Sequence, residues 1–378
     1  MEFELTRTQK EIQKAAGEFA KGEFDPSEVQ DAEQQECFPV PVWEKAVELG
    51  FLGLHFPEAY GGGGLGLLEA VLVTETLCRQ CSTMGIALGL SELGAEAILA
   101  SGSAEQKENY LPAVLEGRLL CAVSLRDLGG TPERGTECVA QPDGGQLVVR
   151  GKKSMVVNAP PAGLYIFLCN DGQPDGSSLL LMEKQDGSIG MQPGAGGLGM
   201  RLSAIRNLRM DGVIVSGQSC LGAHGAGERC IERLLPRFYL KIAAMALGIA
   251  QCALDKSLAY AKERVQFGKK IGLFQITRHK LADMLLGLEQ ARWLTYLAAA
   301  RLDSGKSRDS MPLAAKICAV GAALNAAYEA IQLHGGYGYI NEYEVERLYR
   351  DAKALQIVGG QTSLLKDRIA DRLFGRLK

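Results

Sequence analysis

The chain reads as an α+β protein in three parts: an N-terminal helical domain over residues 1–118, a middle antiparallel β-barrel or sandwich over 119–223, and a C-terminal four-helix bundle over 224–378. Three observations support this order. Apolar residues recur at helical spacing through the first third of the chain. Near Leu119 they give way to short runs rich in β-branched and apolar residues, set apart by turn signals. Past Gly227 the helical period returns, in stretches long enough for a bundle. With 378 residues, two or three domains fit better than a single core.

In the first part Leu5, Ile12, Ala15, Ala16 and Phe19 fall near helical spacing, and Trp43, Ala46, Val47 and Leu49 repeat the pattern. The polar stretch between them, DPSEVQDAEQQECFP, reads as a connector. Four consecutive glycines in PEAYGGGGLGL, residues 57–67, cannot continue a helix. Helical spacing resumes over Leu68–Leu77 and Met84–Ser101. Ser103 then caps a helix starting at Ala104, with Glu105 and Gln106 in its first turn. In the middle part the runs LLCAVSL, QLVVRG, SMVVNA, LYIFLC and SSLLLME are separated by turn signals such as Asp143-Gly144-Gly145 and Asp171-Gly172. Strands that follow one another without helices between them favour antiparallel pairing. In the last part Leu240, Ala243, Leu247, Ala250, Leu254 and Leu258 trace one apolar stripe, and Leu281, Met284, Leu288, Ala291, Ala298 and Leu302 a second. Asp309 or Ser310, ahead of Pro312, starts a third, alanine-rich helix that ends at Gly335. A short helix from Glu342 completes the bundle.

Composition narrows the function. A net charge of −3 gives no basic field for nucleic acid or anionic membrane. No uninterrupted apolar run reaches the roughly 18–20 residues of a membrane span. The N-terminus, MEFELTRTQKEIQKAAGEF, is acidic and amphipathic, unlike a signal or transit peptide. Ten cysteines read as free thiols in a reducing cytosol; the close pair Cys78 and Cys81 lacks partners for zinc, and four scattered histidines point to no metal. A cytoplasmic protein is expected.

Between Ile331 and Thr362 two glycine pairs, Gly335-Gly336 and Gly359-Gly360, bracket a segment in which Glu346 and Arg350 lie one helical turn apart. Glycines at element ends let backbone come close to a ligand or adopt φ > 0. Two such turns suggest a site.

The ordered set RVQFGKKIGLFQ (264–275), LADM (281–284), QLHGGYGY (332–339) and YRDAKALQIVGG (349–360), with weaker matches in PEAYGGGG, GKKSMVVNAP and GLGMRLSAIRNL, resembles the acyl-CoA dehydrogenase family over essentially the whole chain. The resemblance implies an FAD flavoprotein, a homotetramer, an acyl-CoA substrate and an electron-transfer flavoprotein as partner. By resemblance Arg264 and Gln275, with Phe267 beside them, contact the adenosine diphosphate half of the flavin. Gln332 and Gly336, with Gly335, hold the same half from a neighbouring subunit. Leu125, Val157 and Thr362 belong to the cofactor site, and Tyr60, Arg237, Phe238 and Gly359 to the acyl site. No G-x-G-x-x-G opens a helix after a strand, so a Rossmann cofactor is not indicated.

The chain also departs from the family. The usual catalytic Glu position holds Gly359, and the alternative on the long helix holds Phe238. Leu125-Arg126-Asp127-Leu128 replaces Leu-Thr-Glu-Pro, and Met155-Val156-Val157 replaces Trp-Ile-Thr, so the hydroxyls expected near the flavin are missing. Three readings follow. In the first, a dehydrogenase or enoyl-CoA reductase uses a relocated proton-transfer group, Glu92 or, second, Asp127, on a substrate such as a cyclic or already unsaturated acyl group. In the second, a base-free subunit shares a hetero-oligomer with a catalytic homologue. In the third, a flavin-dependent oxygenase relative acts on a substrate without CoA.

Overall fold

The computed structural model describes residues 4–125, 136–172, 176–184, 189–194, 196–306 and 310–375. Helices come first: α1 (Arg7–Glu23), α2 (Pro26–Gln35), α3 (Val40–Glu48), α4 (Leu67–Gln80), α5 (Ser82–Ser91), α6 (Leu93–Ser101) and α7 (Ala104–Leu115). Capping boxes start two of them, Thr6 with Gln9 and Ser103 with Gln106, as the Ser103 pattern predicts. The polar connector is a helix instead. The Asp25 side chain accepts the Ser27 and Glu28 N–H groups, Pro26 sits in the first turn, and Val29 and Glu33 are buried. Glu33 reaches Arg347 Nε at 2.7 Å, so a charge that looks solvated in the sequence is an anchor in the fold. Asp303, from the far end of the chain, caps α4 by accepting the Leu67 N–H at 3.0 Å.

The strands are β1 (Cys121–Ser124), β2 (Val139–Asp143), β3 (Gln146–Val156), β4 (Leu164–Asn170), β5 (Ser177–Glu183), β6 (Ile189–Pro193), β7 (Arg206–Ser216) and β8 (Cys220–Leu221). They run in the order β6-β7-β3-β2-β4-β5-β8, with β1 beside β4. The expected antiparallel character needs correction, because the sheet is mixed and folds into a sandwich, not a closed barrel. β1 runs parallel to β4, from Cys121 opposite Leu164 to Ser124 opposite Phe167. A hairpin of β2 and β3 lies between these two strands in the chain, which leaves length enough for a parallel crossover. Alternation along β4 serves two cores. Tyr165, Phe167 and Cys169 pack inside the β domain with Leu147, Val149 and Val213. Leu164, Ile166 and Leu168 pack against the helices.

The C-terminal part holds α8 (Gly227–Glu263), a ribbon of β9 (Val265–Gln266) and β10 (Lys269–Lys270), α9 (Gln275–Asp303), α10 (Ser310–His334), α11 (Val345–Ile357) and α12 (Thr362–Phe374). The bundle thus has one helix more than expected. The short helix starts at Val345, after a 3₁₀ turn at Asn341–Tyr343, and Asp309 lies outside the described residues. Gly248 lets α8 cross α4 closely, since a Cβ there would meet the Glu75 carbonyl. By length and composition Ser82–Ser101, Gly227–Glu263 and Ser310–Tyr339 could cross a membrane, which a search for one uninterrupted apolar run misses. In this fold 89%, 89% and 50% of their most apolar windows are buried inside the protein.

Arg347 joins α11 to α2 through Glu33, with both side chains buried, and also bonds Glu344 at 2.9 Å. Arg347→Met leaves buried Glu33 with only the longer contact to Arg350, at 3.6 Å, and should destabilise the chain by up to about 3 kcal/mol. A urea titration checks this, the midpoint falling with little change in slope.

Candidate active site

A cavity of about 490 Å³ opens where the sheet meets α8 and the start of α12. One wall comes from two strand ends: Val123–Leu125 at the end of β1, and Met155 with Val157 at the end of β3, joined by a bridge between Val123 and Val157. Met155 and Asn158 take φ of 54° and 59°, which bends this strand end. The Met155 N–H donates to Asn207 Oδ1 at 3.1 Å, and the Asn158 N–H to the Ser203 carbonyl at 2.8 Å. The wall does present one hydroxyl, Ser124, whose Oγ lies 3.5 Å from the Ser154 carbonyl.

The opposite wall comes from α8 through Ile231, Leu235, Phe238 and Tyr239, and from the α11–α12 turn through Val358, Gly359 and Gly360. The structure therefore brings Leu125, Val157, Phe238 and Gly359 to one cavity. Gly359 has a φ of 72°, and a Cβ there would lie 2.9 Å from Ile242 Cδ1 and 3.3 Å from Phe238 Cε1. Backbone conformation and packing both close this position to a larger side chain. Lys316, buried on α10, holds the turn by donating to the Val358 carbonyl and, at 2.7 Å, to that of Gly360. Burial pushes the Lys316 ammonium down to about 7.

Glu92 sits at the break between α5 and α6. Its neighbours Leu90 and Leu93 line the cavity, but Glu92 does not. Its carboxylate accepts the Gly53 N–H at 2.6 Å and pairs with buried Lys241 of α8. One turn on, Glu96 pairs with His55; burial raises its carboxyl, but His55, then Lys241 and Arg237, draw it down to about 2. Glu92 ties the α5–α6 break to α8, and both carboxylates tie it to the Gly53–His55 loop. Tyr60, Arg237 and Thr362 do not line the cavity. Asp127 lies outside the described residues.

A second cavity, of about 510 Å³, gathers Arg264, Gln332, Gly335 and Gly336 with Tyr260 and Tyr337. The Arg264 guanidinium lies 5.6 Å from the Tyr337 ring centroid, and no carboxylate among the described residues pairs with it. Gly335 has a φ of 60°, and both glycines leave open the space a Cβ would take. Such a cradle fits an anionic, flat ligand. Arg264 and the Gln332–Gly336 turn thus line one cavity within one chain. Phe267 is 92% exposed on the ribbon, and Gln275 is exposed at the start of α9. Sequence reasoning missed Tyr239, Lys316, Arg368 and the aromatic group in which His334 stacks on Tyr260 at 4.3 Å.

Fold and cavities define a three-part protein with an apolar cavity between sheet and helices and an Arg- and Gly-lined cradle beyond it. The description "Acyl-CoA dehydrogenase, N-terminal domain" matches residues 6–118, and "Acyl-CoA dehydrogenase, C-terminal domain" matches 223–374. The chain belongs to the acyl-CoA dehydrogenase family. It is 32% identical to a short-chain-specific acyl-CoA dehydrogenase of Clostridium acetobutylicum, over 99% of this chain and 100% of that one. It is 31% identical to an acryloyl-CoA reductase (NADH) of Anaerotignum propionicum, over 100% and 97%. Among solved structures it resembles butyryl-CoA dehydrogenase from Megasphaera elsdenii, with a TM-score of 0.93 and 30% identity over 99% and 100% of the two chains.

Two predictions follow from the Gly359 turn. Gly359→Glu should strain the backbone and overpack the wall, each by about 1–3 kcal/mol; thermal unfolding reads the loss. Lys316 makes stability depend on pH. The unfolded chain keeps its proton up to the ordinary lysine range, while the folded chain gives it up near 7. Between these values the unfolded state binds more protons, so stability should rise with pH. Denaturant titrations across that window should show the rise, and Lys316→Met should flatten it.

Proposed function

We propose that the chain is an FAD-dependent oxidoreductase working at the α,β-bond of an acyl-CoA thioester, in the dehydrogenating or the reducing direction. The observation that carries this reading is the apolar cavity set between the strand backbone at Val123–Leu125 and Met155–Val157 and the α8 wall at Phe238. The flavin ring would lie on the strand ends, held by backbone groups and bordered by Leu125 and Val157. The acyl group would lie against Phe238 and Gly359. Bound there, the flavin supplies hydride exchange at Cβ. The chain's own part is to orient the thioester, exclude water with Leu90, Leu93, Ile231 and Leu235, and move the proton at Cα.

The adenosine diphosphate half would occupy the second cavity. An Arg fork matches phosphate oxygens, and the Gly335–Gly336 backbone allows close approach. Because ring-side and phosphate-side residues line separate cavities, we assign the two halves of each cofactor to two protomers. In the homotetramer that the family resemblance implies, exposed Phe267 and Gln275, together with Thr362, would meet cofactor at the subunit boundary. An electron-transfer flavoprotein would exchange electrons with the flavin in the cytoplasm. The carboxylate pairing of Glu92 with Lys241 supports a structural role for it over proton transfer. The lack of a carboxylate among the described cavity-lining residues favours one alternative, a base-free subunit paired with a catalytic homologue.

Purification in the presence of FAD, followed by anaerobic addition of short and medium acyl-CoAs, decides between them. The expected result is a yellow protein whose flavin band bleaches, or whose dithionite-reduced flavin is reoxidised by an enoyl-CoA. A flavin-free oligomer, or one redox-active only with a co-purifying homologue, would overturn the first reading. Arg264→Ala should weaken FAD binding roughly 10–100-fold, the value of one charge-assisted contact, measured by flavin fluorescence titration.

A further inference from the structure

The proposed reaction needs a carrier for the Cα proton, and neither Gly359 nor Phe238 can provide one. Among the described residues lining the active-site cavity, the side chains with titratable protons are Tyr239, Lys353 and Arg368. Arginine keeps its proton throughout the working range. Lys353 is exposed on α11 and donates to Gln356 Oε1 at 2.7 Å. Tyr239 is different. It is 2% exposed, stands on α8 one residue beyond Phe238, and its hydroxyl accepts from Arg368 Nη1 of α12 at 3.3 Å. The Lys316 ammonium lies 5.8 Å from its ring centroid.

We propose that the Tyr239 hydroxyl, polarised by Arg368, is the group that exchanges the Cα proton of the thioester, an inference that rests on the function proposed above. In the reducing direction the Tyr239 O–H bond breaks and a Cα–H bond forms, while Cβ gains the hydride given up by reduced flavin and the C=C π bond is lost. The phenolate then regains a proton from water. In the dehydrogenating direction the phenolate takes the Cα proton, the C=C bond forms, and oxidised flavin receives the hydride. A guanidinium at hydrogen-bond distance favours the phenolate in both directions. Among the described residues, Arg368 of α12 and Lys316 of α10 are the basic groups that face the ring from other elements. On its own helix lie Arg237 and Lys241, the latter paired with Glu92.

The test uses flavin-loaded enzyme in D₂O under anaerobic conditions with a saturated acyl-CoA, reading deuterium at Cα by mass spectrometry. Wild-type enzyme should exchange. Tyr239→Phe should slow exchange by roughly 10²–10⁴-fold, the usual contribution of a placed acid–base group, with flavin content and acyl-CoA affinity retained. Arg368→Gln should slow exchange and move its pH midpoint upward. A readout independent of turnover is carbon-13 NMR of tyrosine-labelled protein. The resonance missing from Tyr239→Phe should titrate, and Arg368→Gln should raise its midpoint; a merely structural hydroxyl would not couple this shift to exchange. Exchange by Tyr239→Phe on the wild-type scale overturns the assignment of Tyr239 alone, and so does loss of exchange in Asp127→Asn with Tyr239→Phe still active. Should Tyr239→Phe not fold, an Arg368→Gln enzyme with unaltered rate and midpoint overturns it. Wild-type enzyme that binds flavin and acyl-CoA without exchanging overturns the proposed function as well.

Discussion

The fold depends on the burial of α8 on all sides. From Phe238 to Ala250 every residue of this helix is buried. A helix apolar around its whole circumference must be enclosed by other elements. Here α4 closes on it at Gly248, α6 and β4 share its core, and α10 and α11 cover the remaining face. Two consequences reach the site. The Phe238 and Tyr239 side chains are fixed by the packing that stabilises the protein, so the cavity wall is preformed. In addition, Lys241 has no route to water and must find a carboxylate, which Glu92 provides.

How much could be read in the sequence follows from the range of each interaction. The Ser103–Gln106 box was legible because a cap is made by residues three apart. The meeting of Arg264 with Gln332, Gly335 and Gly336 was legible only through the resemblance, since nothing in the spacing shows that the end of α8 faces the end of α10. Helix α2 was not legible. Its polar face is held by Arg347, more than 300 positions away, and tertiary pairing overrode a composition that reads as a connector. The role of Glu92 was hidden for the same reason. A carboxylate on an apolar helix looks available until Lys241, 149 residues later, is placed against it. The mixed sheet escaped because the absence of helices between strands says little about whether a hairpin can serve as the crossover.

The Gly359 turn shows what the loss of the usual carboxylate involves in physical terms. The position is not vacant space awaiting a side chain, because Ile242 and Phe238 pack into it and the backbone is left-handed. Among the described residues the ionisable groups around it are basic or phenolic: Lys316 on the turn carbonyls, Arg368 on the Tyr239 hydroxyl, and Lys353 at the α11 edge. A wall with a carboxylate takes a proton readily but repels the negative charge that develops on a thioester as its α-carbon becomes enolate-like. A wall of cations and one phenol does the reverse: it stabilises that charge and holds a proton on a weaker acid. The electrostatics of the cavity therefore suit an enolate-like α-carbon, and by microscopic reversibility that stabilisation serves delivery of the proton and its removal alike.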